Sequence, residues 1–169
     1  MIERFFPDEF YDSVFEIPYK NLLERGYESI IFDVDNTLAP YNVIRPPVKI
    51  SALISRLAKM GFKMCLLSNN SGRRMAAFNE NMKLFAVHRA MKPLTGGIKK
   101  SMELMGSGPE NTVVIGDQLF TDILCGNMAG LYTVLVKPVS EKDQLTVRLK
   151  RGFEKKVLKA YGEAEKNKG

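Results

Sequence analysis

Two aspartates one residue apart, Asp33 and Asp35, stand at the end of the apolar run Ser29-Ile30-Ile31-Phe32. Side chains alternate along a strand, so both carboxylates lie on one side, just past the end of the run. Two carboxylates about 4 Å apart repel by roughly 4 kcal/mol at an intermediate effective dielectric. A cation, a proton or a binding partner has to offset that repulsion. A calcium loop is excluded: Thr37 stands where a further Asp or Asn is required, Leu38 stands where Gly is required, and the closing Glu is missing. What remains is a different metal site or acid/base chemistry, with a plain pair of surface acids as the bland alternative.

Three more segments place polar groups after apolar runs. Ser68-Asn69-Asn70-Ser71 follows the run 62–67 and leads into a helix. A hydroxyl and several N–H groups at a helix N-terminus suit an anion such as phosphate, although the same residues also serve as an ordinary cap. Lys92-Pro93 follows the run 85–89, with Pro93 suited to a first helical turn. A solvated lysine is the plain reading; at the same edge as the acids, Lys92 would neutralise phosphate or steady an aspartate. Gly116-Asp117 follows the run 112–116, and Asp122 lies five residues on. Asp117 and Asp122 could simply cap and charge a helix start. If the first and fourth runs pair, Asp33, Asp117 and the Asp35 carbonyl converge on one Mg²⁺, the ion favoured by all-oxygen ligands.

These segments need a scaffold that brings strand ends together. Five apolar runs, at about 29–34, 62–67, 85–89, 112–116 and 131–136, alternate with helical stretches. Pro46-Pro47 opens a helix that runs to Met60, with Ile50, Leu53, Ile54 and Leu57 on one face and Gly61 as its stop. Ser71 caps a second helix ending near Leu84, and Thr95 starts a third that runs to Met105. A fourth spans about 119–129, and a fifth carries Leu145, Leu149, Phe153, Val157 and Tyr161 at a spacing of four. Strict alternation predicts an α/β fold: a Rossmann-like, three-layer arrangement of a parallel five-stranded sheet with helices on both faces. Right-handed crossovers would bring every strand's C-terminal end to one edge. Residues 1–28, rich in aromatics from Phe5 to Tyr19, are expected to cover the sheet; docking on a membrane or partner is the lesser reading.

At 169 residues, with 45% hydrophobic and 26% charged composition, the chain reads as one domain, 1–169. No apolar run approaches the length of a membrane span. Glu3, Pro7, Asp8 and Glu9 interrupt any secretory signal, so a cytoplasmic location is expected. Cys65 and Cys125 read as small buried residues, and a single histidine, His88, excludes a His-rich zinc site. The net charge of +6 suits an anionic partner, and residues 141–169 hold nine Lys or Arg against five Asp or Glu. This basic C-terminal helix and tail reads first as a solvated face and second as a lipid- or RNA-binding tail. No nucleic-acid recognition motif accompanies it, so nucleic acid is not an expected partner.

Taken together, Asp33-x-Asp35-Asn36-Thr37, Ser68-Asn69-Asn70, Lys92-Pro93 and Gly116-Asp117-x4-Asp122 resemble, in order and context, the four motifs of the haloacid dehalogenase (HAD) phosphatase superfamily. The match spans about residues 29–137. It looks most like the type IIIA branch, with its YqeG-like phosphatases related to phosphatidylglycerophosphate phosphatase. The resemblance implies that Asp33 is the nucleophile, forming an aspartyl-phosphate, and that Asp35 protonates the leaving oxygen and then activates water. It implies phosphoryl binding by Ser68, Asn69 and Lys92, and Mg²⁺ held by Asp33, Asp35 and Asp117, with Asp122 and Thr37 behind them. The intervals between motifs leave room for one helix each and no cap domain, so the fold is expected to be capless.

An open site admits large substrates, and lipid phosphate is the preferred class, with peripheral contact at a membrane. Arg73 and Arg74 would either reach a second phosphate or stand as exposed helix charges. A phosphatase of a soluble metabolite, nucleotide or phosphoprotein is the first alternative; a non-catalytic phospho-acceptor domain is the second. The oligomeric state is left open, since another subunit could cover the site.

Overall fold

The computed structural model describes residues 2–140 and 145–166, the side chains of 145–151 and 153 excepted. In chain order the strands are β1 (Glu9–Tyr11), β2 (Ser29–Asp33), β3 (Lys63–Leu67), β4 (Phe85–Val87), β5 (Thr112–Gly116) and β6 (Tyr132–Val136). The helices are α1 (Tyr19–Glu24), α2 (Val48–Lys59), α3 (Gly72–Asn79), α4 (Gly96–Met105), α5 (Leu124–Met128) and α6 (Leu145–Lys166). All strands are parallel, in the order β1-β6-β5-β2-β3-β4.

β2 is buried at every position because neighbours cover both its edges and helices cover both its faces. Its alternating side chains divide the core. Ile30 and Phe32 pack with Leu22 of α1, Leu53 and Leu57 of α2, and Met75 and Phe78 of α3. Ile31 faces the other way, toward Ile98 and Met102 of α4 and Cys125 of α5. A smaller cluster of Phe5, Leu119, Ile123, Leu135 and Val157 joins the N-terminal segment to α6.

The expected pairing of the first and fourth apolar runs is present, with Phe32 opposite Ile115, and Asp33 lies opposite Leu67 on the other side. The sheet has six strands rather than five. The extra one, β1, comes from the segment expected only to cover the sheet, and it pairs along β6 from Glu9 opposite Val134. Three residues with one outward Phe carry no alternating pattern, and edge strands need little apolar character.

Local boundaries also differ. β4 ends at Val87 rather than 89 because Arg89 and Met91 take positive φ, turning the chain so that Ala90 N–H donates to the Ser68 carbonyl. Pro93 stands outside a helix, α4 beginning only at Gly96. The second helix ends at Asn79, short of Leu84, whose N–H and carbonyl are both bonded by the Asn79 side chain. The stretch expected as one helix over 119–129 opens with a π-helical turn, Leu119–Ile123, before α5. In α6, Val157 is buried; the Leu145, Leu149 and Phe153 side chains lie outside those described, as do residues 141–144 and 167–169 of the basic tail.

Candidate active site

Everything needed for the site lies where β2, β5, β3 and β4 release their chains, at the common C-terminal edge. After β2 the chain folds back at once: Leu38 and Ala39 N–H groups donate to the Val34 carbonyl, and Asn36 N–H donates to the Ala39 carbonyl. Asn36 sits at φ 62°, a left-handed conformation Asn tolerates better than most residues. This turn returns Thr37 over Asp33, and its hydroxyl lies 2.8 Å from Asp33 Oδ2 and 3.1 Å from Asp117 Oδ1.

Lys92 enters from the segment after β4. Its ammonium donates to Asp33 Oδ1 at 2.6 Å and to Asp122 Oδ1 at 2.5 Å, and all three side chains are at least nine-tenths buried. Asp122 is aimed by the π-helical turn and held at Oδ2 by the Gln118 N–H, 3.1 Å away. A Cβ at Gly116 would run into the Asp122 side chain, so only glycine fits at the end of β5. Asp33, Asp117 and Asp122 thus present carboxylate oxygens within 4.8 Å of one another.

Burial and mutual repulsion dominate the electrostatics. Asp33 is raised to about 7, first by desolvation and then by the Asp122 charge, with Lys92 and Thr37 opposing. Asp117 is pushed up to about 9, again by desolvation first and then by Asp33 and Asp122. Burial alone would lower the Lys92 ammonium, but Asp122 and Asp33 outweigh it and keep it charged. Three hard oxygen donors, two reluctant to ionise without added positive charge, suit a divalent cation of the magnesium type.

A second cage lies beside this one. Asp35 Oδ2 accepts from Ser68 Oγ at 3.0 Å and from Asn70 Nδ2 at 2.6 Å, while Oδ1 accepts from Arg74 Nε at 3.0 Å and Nη2 at 2.6 Å. The Asn69 side chain brackets the Lys92 backbone, accepting from its N–H at 2.8 Å and donating to its carbonyl at 3.3 Å. It therefore ties two segments together rather than facing the acids. Arg73 is exposed on α3, whereas Arg74 is turned inward. Sequence reasoning gave Asn70 no task and grouped Arg74 with Arg73. The spacing of Arg74 and the buried Phe78, one helical turn apart, was the available signal that the two arginines differ.

A carboxylate cluster around one buried lysine, with Asp35 ringed by donors beside it, thus stands at the ends of the central strands. Residues 89–150 match a HAD-hydrolase-like family model. Over 161 residues the chain is 35% identical to the probable phosphatase YqeG of Bacillus subtilis (strain 168), covering 95% of this chain and 94% of that protein. It is 30% identical over 157 residues to phosphatidylglycerophosphate phosphatase 1, chloroplastic/mitochondrial, of Arabidopsis thaliana, covering 86% of this chain and 44% of that protein. The chain belongs to the HAD-like phosphatases, in the group related to phosphatidylglycerophosphate phosphatase.

Among solved structures, NagD from E. coli K-12 superposes with TM-score 0.56 at 16% identity, over 68% of this chain and 90% of that one. The cobalt-bound deoxy-D-mannose-octulosonate 8-phosphate phosphatase of Haemophilus influenzae gives 0.52 at 16%, over 82% and 91%. At such identity these likenesses speak for the fold. The interval between Asp35 and Ser68 holds a loop, α2 and β3, that between Ser68 and Lys92 holds α3 and β4, and neither contains an inserted domain.

Proposed function

We propose that this phosphatase is a Mg²⁺-dependent phosphomonoester hydrolase that works through an aspartyl-phosphate on Asp33 and acts on a lipid phosphate of the phosphatidylglycerophosphate type. The observation that carries the reaction is the convergence of Asp33, Asp117 and Asp122 around Lys92 and Thr37 at the ends of β2 and β5. Asp33, Asp117 and the Asp35 carbonyl would hold the ion, with Asp122 in contact or through water; bound there, it offsets the repulsion between carboxylate and phosphate.

Asp33 Oδ2 attacks phosphorus as the bond to the leaving oxygen breaks, and the Asp35 carboxyl gives that oxygen its proton. Lys92 stays on Asp33 Oδ1, which orients the attacking oxygen. The Ser68 hydroxyl, the main chain at Asn69 and the Lys92 ammonium stabilise the transferring phosphoryl oxygens. Asp35, now a carboxylate, takes a proton from water as the water attacks phosphorus, releasing phosphate and restoring Asp33.

The lipid assignment rests on the names of the plant and algal relatives, the latter 28% identical over 133 residues, and on the capless site. This chain spans 44% and 49% of those two proteins. Among the described residues no helix is long and apolar enough to cross a membrane, and in this reading the lipid is met peripherally. The test is phosphate release from phosphatidylglycerophosphate in micelles, soluble phosphomonoesters and a phosphopeptide, with Mg²⁺ or EDTA. Magnesium-dependent release from the lipid well above a slow release from soluble esters is expected; release from soluble esters alone would overturn the lipid assignment.

A further inference from the structure

Arg74 spends its whole guanidinium on the mouth of the site. Nε and Nη2 both donate to Asp35 Oδ1, at 3.0 and 2.6 Å, and Nη1 donates to the Val43 carbonyl at 2.9 Å. The guanidinium carbon also lies 5.1 Å from the centre of the Tyr41 ring, within cation–π range. Both charged side chains of the pair are mostly buried, 16% and 17% exposed, unlike the surface ion pairs elsewhere on the molecule. One side chain of α3 therefore grips both a carboxylate just beyond β2 and the loop that follows it.

We propose that Arg74 is the positioning residue of the Asp35 acid/base, holding it against the loop after β2 with a single fork. The inference rests on the phosphatase reading given above. Its logic lies in how the two carboxylate oxygens are divided. Oδ1 is claimed by Arg74, whereas Oδ2 is held by Ser68 and Asn70. When an incoming phosphoryl group takes the Ser68 hydroxyl, Oδ2 keeps only the Asn70 donor, and its freed lone pair can take up a proton from solvent and pass it to the leaving oxygen. Oδ1 remains anchored, so Asp35 does not swing into solvent. A lysine would supply the charge but not the planar fork that reaches Asp35 and Val43 together.

Leaving-group dependence separates this role from general structural support. A nitrophenolate departs without help, whereas a phenolate needs its proton delivered, so misplacing the acid penalises phenyl phosphate and spares p-nitrophenyl phosphate. The experiment measures kcat/KM for both esters, with Mg²⁺, in wild type, Arg74→Ala, Arg74→Lys and Asp35→Asn, after confirming equal melting temperatures. This ratio reports the steps up to departure of the leaving group. Arg74→Ala is expected to lower the phenyl phosphate value by about 10-fold or more beyond any loss on p-nitrophenyl phosphate. Asp35→Asn should show the same bias, and Arg74→Lys should recover only part. Equal losses on the two esters, or no loss on either, overturn the proposal; should Arg74→Ala fail to fold, the same comparison is read from Arg74→Lys. A wild type that hydrolyses neither ester nor phosphatidylglycerophosphate would instead bring down the phosphatase reading, and this inference with it.

Discussion

Thr37 has one hydroxyl proton and two carboxylates within reach, Asp33 Oδ2 and Asp117 Oδ1. Only one of them can accept that proton, so the other contact needs a carboxyl proton as donor. With Asp117 raised to about 9 and Asp33 only to about 7, the metal-free arrangement at neutral pH is Asp117–H donating to Thr37, and Thr37 donating to Asp33. Both folded-state values lie above the ordinary carboxylate value, so the folded protein binds more protons than the unfolded chain between about pH 4 and about pH 9. The stability these two groups contribute is complete below about pH 4 and is lost as pH rises through 7 and 9. A cation bound at these carboxylates would take the place of that proton. The melting temperature of EDTA-treated protein should therefore fall from about pH 5 to about pH 9, with the rise on adding Mg²⁺ largest at the alkaline end. A magnesium shift of the same size at every pH would contradict this. Asp33→Asn should lose at least about 10³-fold in turnover on any substrate found, at unchanged fold by circular dichroism; an active variant would remove Asp33 from the nucleophile role.

At the scale of elements, the end of β5 and the π-helical turn after it act as one device. Gly116 leaves room for Asp122, whose oxygens are fixed by Lys92 and the Gln118 N–H, so the side chain has nowhere to retreat. Gly116→Ala should cost about 1–3 kcal/mol in urea denaturation and weaken magnesium binding, as overpacking of a fixed neighbour does. Gly108→Ala is the control, because its Cβ would meet the end of the exposed Glu110 side chain, which can move aside. An equal cost in both variants would show that the Asp122 contact is not the cause. The sequence made β2, β3 and β5 legible because each is an apolar run ending in a polar residue, and with them the meeting of Asp33 and Asp117. β1 escaped because three edge residues carry no period. The Asp35–Arg74 pair escaped because its partners are 39 positions apart and meet only through the orientation of α3. The π-helical turn leaves no mark in composition, although it is what aims Asp122 at Lys92.

For the molecule as a whole, the absence of any domain between Asp35 and Lys92 leaves the catalytic edge open, and hydrophobic side chains stand exposed along it. Tyr41 and Ile44 lie on the loop after β2, and Met91 and Leu94 on the segment after β4. An enzyme that works on lipid at an interface responds to the surface density of its substrate. At fixed bulk phosphatidylglycerophosphate, diluting the lipid in mixed micelles with inert non-ionic detergent should lower the rate in proportion to its mole fraction. A rate that follows bulk concentration alone would mean that the lipid is met as a dispersed molecule.

The strand order carries a consequence for how the chain is made. β2 leaves the ribosome early with its acids at its end, gains β3 soon afterwards, and then waits for α3, β4 and α4 before β5 arrives to fill its other edge. Until then the strand that carries Ile30, Ile31 and Phe32 has one unpaired side, a liability for aggregation during synthesis. The same delay is protective in a chemical sense. A nascent chain ending before Asp117 and Asp122 has Asp33 but lacks the carboxylates that gather around it, so on the proposed mechanism a truncated product has no cluster with which to act on phosphate esters before the sheet is complete.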